Sequence, residues 1–207
     1  MSGNAPSRTV RIAALVALAL AGACGSSPAS RFYTLSPDEA APFGGGQVTG
    51  PAIALGPVSV PEYLDRPQIA TRKTRHELSL AEYDRWAGSF GQNVEIALAE
   101  NLSAALRKQG VTVLREAAAS QRPVPVRCRV GVDIRAFEAD AEGRVVLEAW
   151  WTIYDAASGK EGFVGQSVVT EPGSGTGYAG IVAAMSRALA ALGRDIAQAL
   201  VSRGYAP

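Results

Sequence analysis

A strict alternation of apolar and polar residues between Val124 and Ala136 is the feature that most constrains how this chain can fold. Side chains of a β-strand point to opposite faces in turn, so this pattern predicts a strand with one buried and one solvated face. Cys128 falls on the buried face, where we expect an inert, unpaired thiol. The apolar positions are Val124, Val126, Cys128, Val130, Val132, Ile134 and Ala136, and the polar positions include Arg127, Arg129, Asp133 and Arg135.

Similar patterns predict the remaining elements of a single α/β domain. Two long amphipathic helices are expected, one from Asn93 to Gly110 and one from about Tyr178 to Ser202. Pro57 predicts an edge or a bulge in its strand. Val146 and Trp150 on the second face of the 144–154 strand indicate a part of the sheet that is covered on both faces. We predict a mixed β-sheet of about six or seven strands with both helices packed on it, drawn from the segments 32–35, 52–60, 68–72, 77–81, 111–114, 124–136, 144–154 and 162–170.

The N-terminal residues 1–23 have the composition of a signal peptide. Arg8 and Arg11 precede a run of twelve apolar residues, which is roughly 18 Å long as a helix and too short for a hydrocarbon core of about 30 Å. The run ends at Cys24, and Leu20-Ala-Gly-Ala-Cys24 resembles the bacterial lipobox, in which the cysteine is acylated and becomes the new N-terminus. We therefore predict a lipid anchor on Cys24. The alternative is an ordinary signal peptidase site after Ala23 that leaves a free thiol.

Cleavage before Cys24 would leave a near-neutral mature chain with a short tether. Removal of the leader takes away two arginines and changes the net charge from +1 to −1, which gives no support for nucleic acid binding. We expect residues 24–31 to form the tether and residues 32–207 to form one domain, with a loop rich in glycine and proline at 36–51. Membrane attachment is then expected through the N-terminal lipid alone.

Residues with catalytic or metal-binding chemistry are scarce. His76 is the only histidine, and it lies among charged residues at a predicted hairpin turn over 73–76. Gly175-Thr-Gly-Tyr-Ala-Gly180 matches a dinucleotide-binding fingerprint, but Asp195 lies inside the last predicted helix and no second strand follows it. The alternatives are a plain turn before the helix or an anion at the helix start. We expect no catalytic residue, no cofactor and no metal site, and we predict that the protein is not an enzyme.

Three segments carry a resemblance to a known family. They are Gly56-Pro-Val-Ser-Val-Pro-Glu-Tyr-Leu-Asp-Arg-Pro-Gln-Ile-Ala70, Glu82-Tyr-Asp-Arg-Trp-Ala87 and Ala99-Glu-Asn-Leu102. Together with the lipobox and the closing helix, they resemble the ABC-type transport auxiliary lipoprotein family. The resemblance implies an accessory lipoprotein of an MCE-type lipid transport system. It also implies an MCE-domain periplasmic protein as the partner and a location on the periplasmic face of the outer membrane, with which Gly25 after the acylated cysteine agrees.

The segment between Pro57 and Pro67 suits recognition better than catalysis, because prolines fix the backbone before binding and reduce its ordering cost. Tyrosine, arginine and tryptophan are enriched in interface hot spots. We predict contact with the MCE partner or with copies of the chain in a homo-oligomer. The alternative places Tyr63 and Trp86 in the core. The candidate contact residues are Tyr63, Leu64, Asp65, Arg66 and Trp86.

Two other functions compete with the docking role. A periplasmic lipid carrier would hold acyl chains in its own apolar cavity of a few hundred Å³. A periplasmic enzyme would need a convergent polar cluster that the sequence does not provide. The expected function is a non-catalytic docking subunit. Truncation of Tyr63 or Arg66 is then expected to weaken association with little change in thermal stability.

Overall fold

The fold is described from a computed structural model. It describes residues 28–37, 52–121, 124–173 and 177–207, so the predicted signal peptide, the predicted lipidation site at Cys24 and most of the predicted loop at 36–51 lie outside the described residues. No helix of the described part is both long and apolar enough to cross a membrane.

The described residues form one mixed sheet of eight strands, so the predicted α/β class is confirmed with a slightly larger strand count. Two long helices accompany the sheet, as predicted. The strands are β1 (Arg31–Tyr33), β2 (Ala52–Ser59), β3 (Gln68–Thr74), β4 (Glu77–Trp86), β5 (Thr112–Arg115), β6 (Val126–Ala139), β7 (Val145–Asp155) and β8 (Glu161–Glu171). The helices are α1 (Phe90–Ala105), the short α2 (Glu116–Ala119) and α3 (Gly177–Ser202), with a 3-10 turn at Arg107–Gln109.

Strand β6 lies at the centre of the sheet. One edge of β6 pairs antiparallel with β7, which pairs antiparallel with β8. The other edge of β6 pairs with two strands. Strand β2 runs parallel to most of β6, and β3 pairs with β6 only where Thr71 is opposite Ala139. Strand β5 flanks β2, whereas β4 and then β1 extend the arm that begins at β3. The sheet therefore divides into two arms on one side of β6.

The long helices bury their apolar stripes, as the 3.6-residue period predicts. Helix α1 contacts α3 and β2, and α3 also packs on β6, β7 and β8. An added Cβ at Gly193 would lie 3.1 Å from Cβ of Asn101, so the helices approach closely there. The stripes are fully or nearly fully buried at Val94, Ala97, Leu98, Leu102 and Leu106 on the first helical segment and at Val182, Met185, Leu189, Leu192, Ile196 and Leu200 on α3.

Two local predictions about the sheet are confirmed. Cys128 is fully buried, and its burial raises the pKa of the thiol to about 12. The pairing of β2 with β6 shifts register between Leu55 and Val58, which is the bulge expected beside Pro57. The alternation in β6 nevertheless ends earlier than predicted. A register shift between Ile134 and Ala136 turns Phe137, rather than Ala136, into the core.

The prediction of a second covered face around Trp150 is wrong for the described residues. The Trp150 side chain is 47% exposed, since α3, the long helix that contacts β7, packs on the opposite face of that strand. The second face is covered at β2 instead, where α2 packs against the strand. A small separate core there contains Ala52, Ala54, Leu114 and Ala119. A helix of only four residues is too short to show a helical period in the sequence, and the helix at Glu116–Ala119 was therefore not predicted.

Candidate partner-binding segment

The segment from Pro57 to Pro67, which we call the proline segment, completes β2 and connects it to β3. Its turn is held by backbone hydrogen bonds, in which the amide of Leu64 donates to the carbonyl of Pro61 at 2.9 Å and the amide of Arg66 donates to the carbonyl of Leu64 at 2.8 Å. The amide of Trp86 donates to the carbonyl of Pro67 at 2.7 Å and joins the end of the segment to β4. The backbone of the segment is therefore fixed in the free protein.

Leu64 and Trp86 anchor the proline segment from below. Their exposed fractions are only 3% and 4%, so both side chains belong to the main core. The Trp86 ring lies 4.9 Å from the ring of Phe90, which in turn lies 5.7 Å from the ring of Phe137. These three aromatic side chains link β4, α1 and β6. A partner could reach Leu64 or Trp86 only through their edges at the surface.

Tyr63 belongs to a polar cluster with the buried Glu138 and the partly exposed Arg72. The Tyr63 hydroxyl donates to Oε2 of Glu138 at 3.2 Å, and Nε of Arg72 donates to Oε1 at 2.7 Å. The Glu138 carboxylate also accepts the backbone N–H of Phe137 at 2.9 Å, and its side chain is only 5% exposed. Burial, together with the negative charge and the hydrogen bond of Glu138, raises the pKa of Tyr63. The cluster ties the proline segment to β3 and β6.

Asp65 is exposed, and its carboxylate caps the N-terminus of α1. Its Oδ1 accepts the hydroxyl of Ser89 at 3.0 Å and the backbone N–H of Gly91 at 3.1 Å. Ser89 is itself the N-cap residue, and its Oγ accepts the amide of Gln92. A carboxylate at this position satisfies a free N–H and interacts favourably with the helix dipole. Asp65 therefore has a structural contact as well as an exposed position.

Among the five candidate residues, Arg66 has the side chain with the most remaining hydrogen-bonding capacity. Its Nε is shielded from solvent yet has no hydrogen-bond acceptor among the described residues. The side chain lines a cleft of about 300 Å³ at the start of α1. A guanidinium in such a cleft can bind a planar carboxylate or a phosphate by donating two parallel hydrogen bonds. The other lining residues are Asp65, Pro67, Trp86, Gly88 and Ser89.

The structure thus brings all five candidate residues to one region but gives them different surroundings. Arg66 and Asp65 are available at the surface, Tyr63 is half-buried, and Leu64 and Trp86 support the segment. Whether a partner contacts them stays a prediction. The sequence did not indicate that Glu138 accepts a hydrogen bond from Tyr63. Continuing the alternation of β6 would place Glu138 on the same face as Cys128, but the bulge after Ile134 reverses the faces of the strand.

The remaining candidates have simple structural surroundings. His76 is exposed in the turn between β3 and β4, and no metal-binding group of His, Cys, Asp or Glu occurs in the part of the chain that the structure describes. Asp195 accepts the Ser167 hydroxyl at 2.7 Å, and Ser167 accepts the indole N–H of Trp151 at 3.2 Å. Asp195 therefore joins α3 to the sheet. Residues 174–176 of the glycine motif lie outside the described residues.

Two further clefts are relevant to the lipid carrier alternative. One, of about 370 Å³, lies on the face of the sheet opposite the two long helices, beside Trp150, Tyr154 and Asp133. The other, of about 490 Å³, lies between the ends of α1 and α3 and contacts Leu106 and Val201. Both clefts open to solvent, whereas the space between sheet and long helices is filled by the packed side chains of the main core. An acyl chain in either cleft would remain partly exposed to water.

Comparison with known proteins identifies the family. Two crystal structures share the fold: an uncharacterized protein with 18% identity and a TM-score of 0.67, and protein XCC0632 from Xanthomonas campestris with 19% identity and a TM-score of 0.62. Each match covers 84% of this chain, and 99% and 97% of the respective structures. No curated protein matches the sequence. The model of a protein family, the ABC-type transport auxiliary lipoprotein component, matches residues 33–197, and the chain belongs to that family.

Proposed function

We propose that this protein is a non-catalytic, lipid-anchored periplasmic subunit of an MCE-type intermembrane lipid transport system and docks the MCE bridge at the outer membrane. The observation that carries the proposal is the family match over residues 33–197, which assigns an auxiliary lipoprotein role beside an ABC-type transporter. The proline segment supports a docking role, because its backbone is fixed before binding by three prolines and by hydrogen bonds to neighbouring elements.

The anchor in this proposal is the acylated Cys24. Stable attachment to a bilayer requires more than a single acyl chain. A fully acylated lipoprotein N-terminus meets this requirement because it carries more than one chain. Cys24→Ser should move the protein from the membrane fraction to the soluble periplasmic fraction, with an unchanged melting curve. Incorporation of a fatty acid probe by the original protein, and none by Cys24→Ser, would support the anchor. A variant that stays in washed membranes would contradict it.

Docking in this proposal uses Arg66, whose side chain is available in the cleft at the start of α1. A hot-spot arginine that binds a partner carboxylate is worth about 1–2 kcal/mol or more, which corresponds to a roughly 5–30-fold loss of affinity on truncation. The test is co-purification of the lipidated full chain with the MCE-domain protein, followed by titration of the complex. Arg66→Ala should weaken binding by that factor.

Arg75→Ala is a matched control, since Arg75 is exposed in the turn between β3 and β4, at the opposite end of this hairpin from Arg66. It should leave the affinity unchanged. Equal affinities for the original protein and Arg66→Ala would refute the contact at Arg66. Absence of any complex, even after cross-linking in intact cells that contain the MCE-domain protein, would refute the docking function itself.

A further inference from the structure

The edge of the sheet nearest to the predicted anchor carries a surface group of three residues, the exposed Phe32 and the half-buried Tyr83 and Arg85, which we call the N-terminal patch. Phe32 of β1 pairs with Arg85 of β4. Their neighbours Arg31 and Tyr33 point to the other face, because both bind the buried carboxylate of Asp84 at 2.8–2.9 Å. Side chains alternate along a strand, so Phe32, Tyr83 and Arg85 share the opposite face.

The N-terminal patch combines an exposed aromatic ring with an arginine that has free hydrogen-bonding capacity. Phe32 is 65% exposed, although strand pairing fixes its backbone. Nε of Arg85 is shielded from solvent and has no acceptor among the described residues. Aromatic rings and long cationic side chains favour the headgroup region of a bilayer, where the apolar part is buried and the polar end stays hydrated. A lipid phosphate would bind the outer part of the half-buried Arg85 guanidinium, because the shielded Nε cannot be reached from outside.

Chain length places this patch close to the bilayer. Phe32 follows Cys24 by eight residues, which span at most about 29 Å when fully extended. Strand β1 begins at Arg31, so the N-terminal patch is the first part of the sheet after the tether. An acylated Cys24 holds the patch at a high effective concentration near the lipid surface, and a weak contact is then sufficient to orient the domain.

We propose that the N-terminal patch is the membrane-contacting surface of the protein, with the Phe32 ring at the boundary of headgroups and acyl chains and the Arg85 guanidinium on lipid phosphates. The proposal rests on the lipid anchor of the proposed function. The anchor supplies attachment, and the patch determines which side of the domain faces the bilayer. Loss of the patch should therefore change the orientation of the domain while the protein stays attached to the membrane.

The test uses the lipidated full chain in vesicles of phosphatidylethanolamine and phosphatidylglycerol. Phe32→Cys is labelled with an environment-sensitive fluorophore, which Cys128 does not take up because it is buried and the pKa of its thiol is raised to about 12. Val168→Cys and Ile96→Cys are matched controls, as both side chains are exposed but lie on β8 and α1. We expect a blue shift and several-fold stronger quenching by spin-labelled lipid at position 32 than at positions 96 and 168.

A second variant tests the arginine. Arg85→Gln in the labelled protein should reduce quenching at position 32 severalfold, and Arg75→Gln should not change it. Flotation with vesicles but equal quenching at positions 32, 96 and 168 would overturn the patch and leave the anchor intact. Failure of the original protein to float with vesicles would overturn the anchor and the patch together. Quenching at position 32 that falls when the MCE-domain protein is added would assign the patch to a protein partner instead.

Discussion

Replacement of Tyr63 by phenylalanine is expected to destabilise the protein, because it removes one donor from a buried carboxylate. The Tyr63 hydroxyl donates to Glu138 at 3.2 Å. The carboxylate keeps the amide of Phe137 at 2.9 Å and two nitrogens of the Arg72 guanidinium, Nε at 2.7 Å and Nη2 at 2.5 Å. Only 5% of the Glu138 side chain is exposed, so water can replace the lost hydroxyl only in part. Part of the desolvation cost of the carboxylate is then left uncompensated.

The geometry sets the size of the effect. A hydrogen bond to a charged group contributes about 1.5–3 kcal/mol, but this bond is long and Tyr63 is only half-buried, so we expect a loss of about 1 kcal/mol. For a domain of this size, the melting temperature should fall by about 2–4 °C. Tyr63→Ala also removes the ring that packs on the core and lies 6.0 Å from the Arg72 guanidinium, and it should cost about 2–4 kcal/mol.

Urea unfolding of residues 24–207 with Cys24→Ser, which removes the predicted acylation site, would measure both changes. Tyr83→Phe is a matched control, because the Tyr83 hydroxyl interacts with Glu82 at the surface and its removal should have a much smaller effect. Equal unfolding free energies for the parent protein and Tyr63→Phe would refute the role of the hydroxyl. The contacts also predict that Tyr63→Ala alters stability, unlike the expectation from sequence. Arg66→Ala is therefore the cleaner probe of partner binding.

Three further predictions concern the core, the thiol and acid stability. Gly165→Ala should cost about 1–3 kcal/mol in urea unfolding, because the new Cβ would lie 2.2 Å from the Trp151 ring, and an unchanged midpoint would contradict this close approach. Thiol reagents should modify Cys128 only after denaturant is added, since burial raises the pKa of its thiol to about 12, and rapid labelling of the native protein would show that it is accessible. Burial of Asp84 opposes ionisation, but hydrogen bonds led by that from Arg31 outweigh it and hold its pKa below the ordinary value. Its contribution to stability is present above about pH 4 and is lost as the pH falls through the lower folded pKa, so Asp84→Asn should flatten the acid-induced loss of stability in a pH series of unfolding curves.

The sequence could predict the helices and most strands because their periodic burial is local information. Helix α3 begins within one residue of the predicted start. Helix α1 begins three residues before Asn93, at Phe90, whose buried ring continues the apolar stripe one turn before Val94 and was not included in the prediction. That turn is stabilised by the Ser89 cap and by Asp65, which lies 24 residues earlier than Ser89 in the chain. A cap supplied from so far away leaves no signal in the spacing of apolar residues.

The candidate site was predictable as a segment but not as individual contacts. The three prolines correctly indicated a fixed backbone between Pro57 and Pro67. Composition could not separate a buried Trp86 from an exposed one, because tryptophan is common both in cores and at interfaces. The bulge after Ile134 has no evident sequence signal, yet it reverses the faces of the strand and brings Glu138 to Tyr63. Pairing between strands that are distant in the chain therefore determines which side chains of the proline segment remain accessible to a partner.

The proline segment and the N-terminal patch lie close together, so the two proposals together indicate how far from the membrane a partner would dock. Arg85 of β4 pairs with Phe32 on one side and with Gln68 on the other. Adjacent strands are about 4.8 Å apart, so Gln68 lies roughly 10 Å from Phe32, and the proline segment ends one residue before Gln68. If Phe32 faces the bilayer, the Arg66 cleft lies at the level of the headgroups or just above them. A partner that binds Arg66 then meets the protein beside the lipid surface, so a bridge docked there would end at the membrane and not at a distance from it.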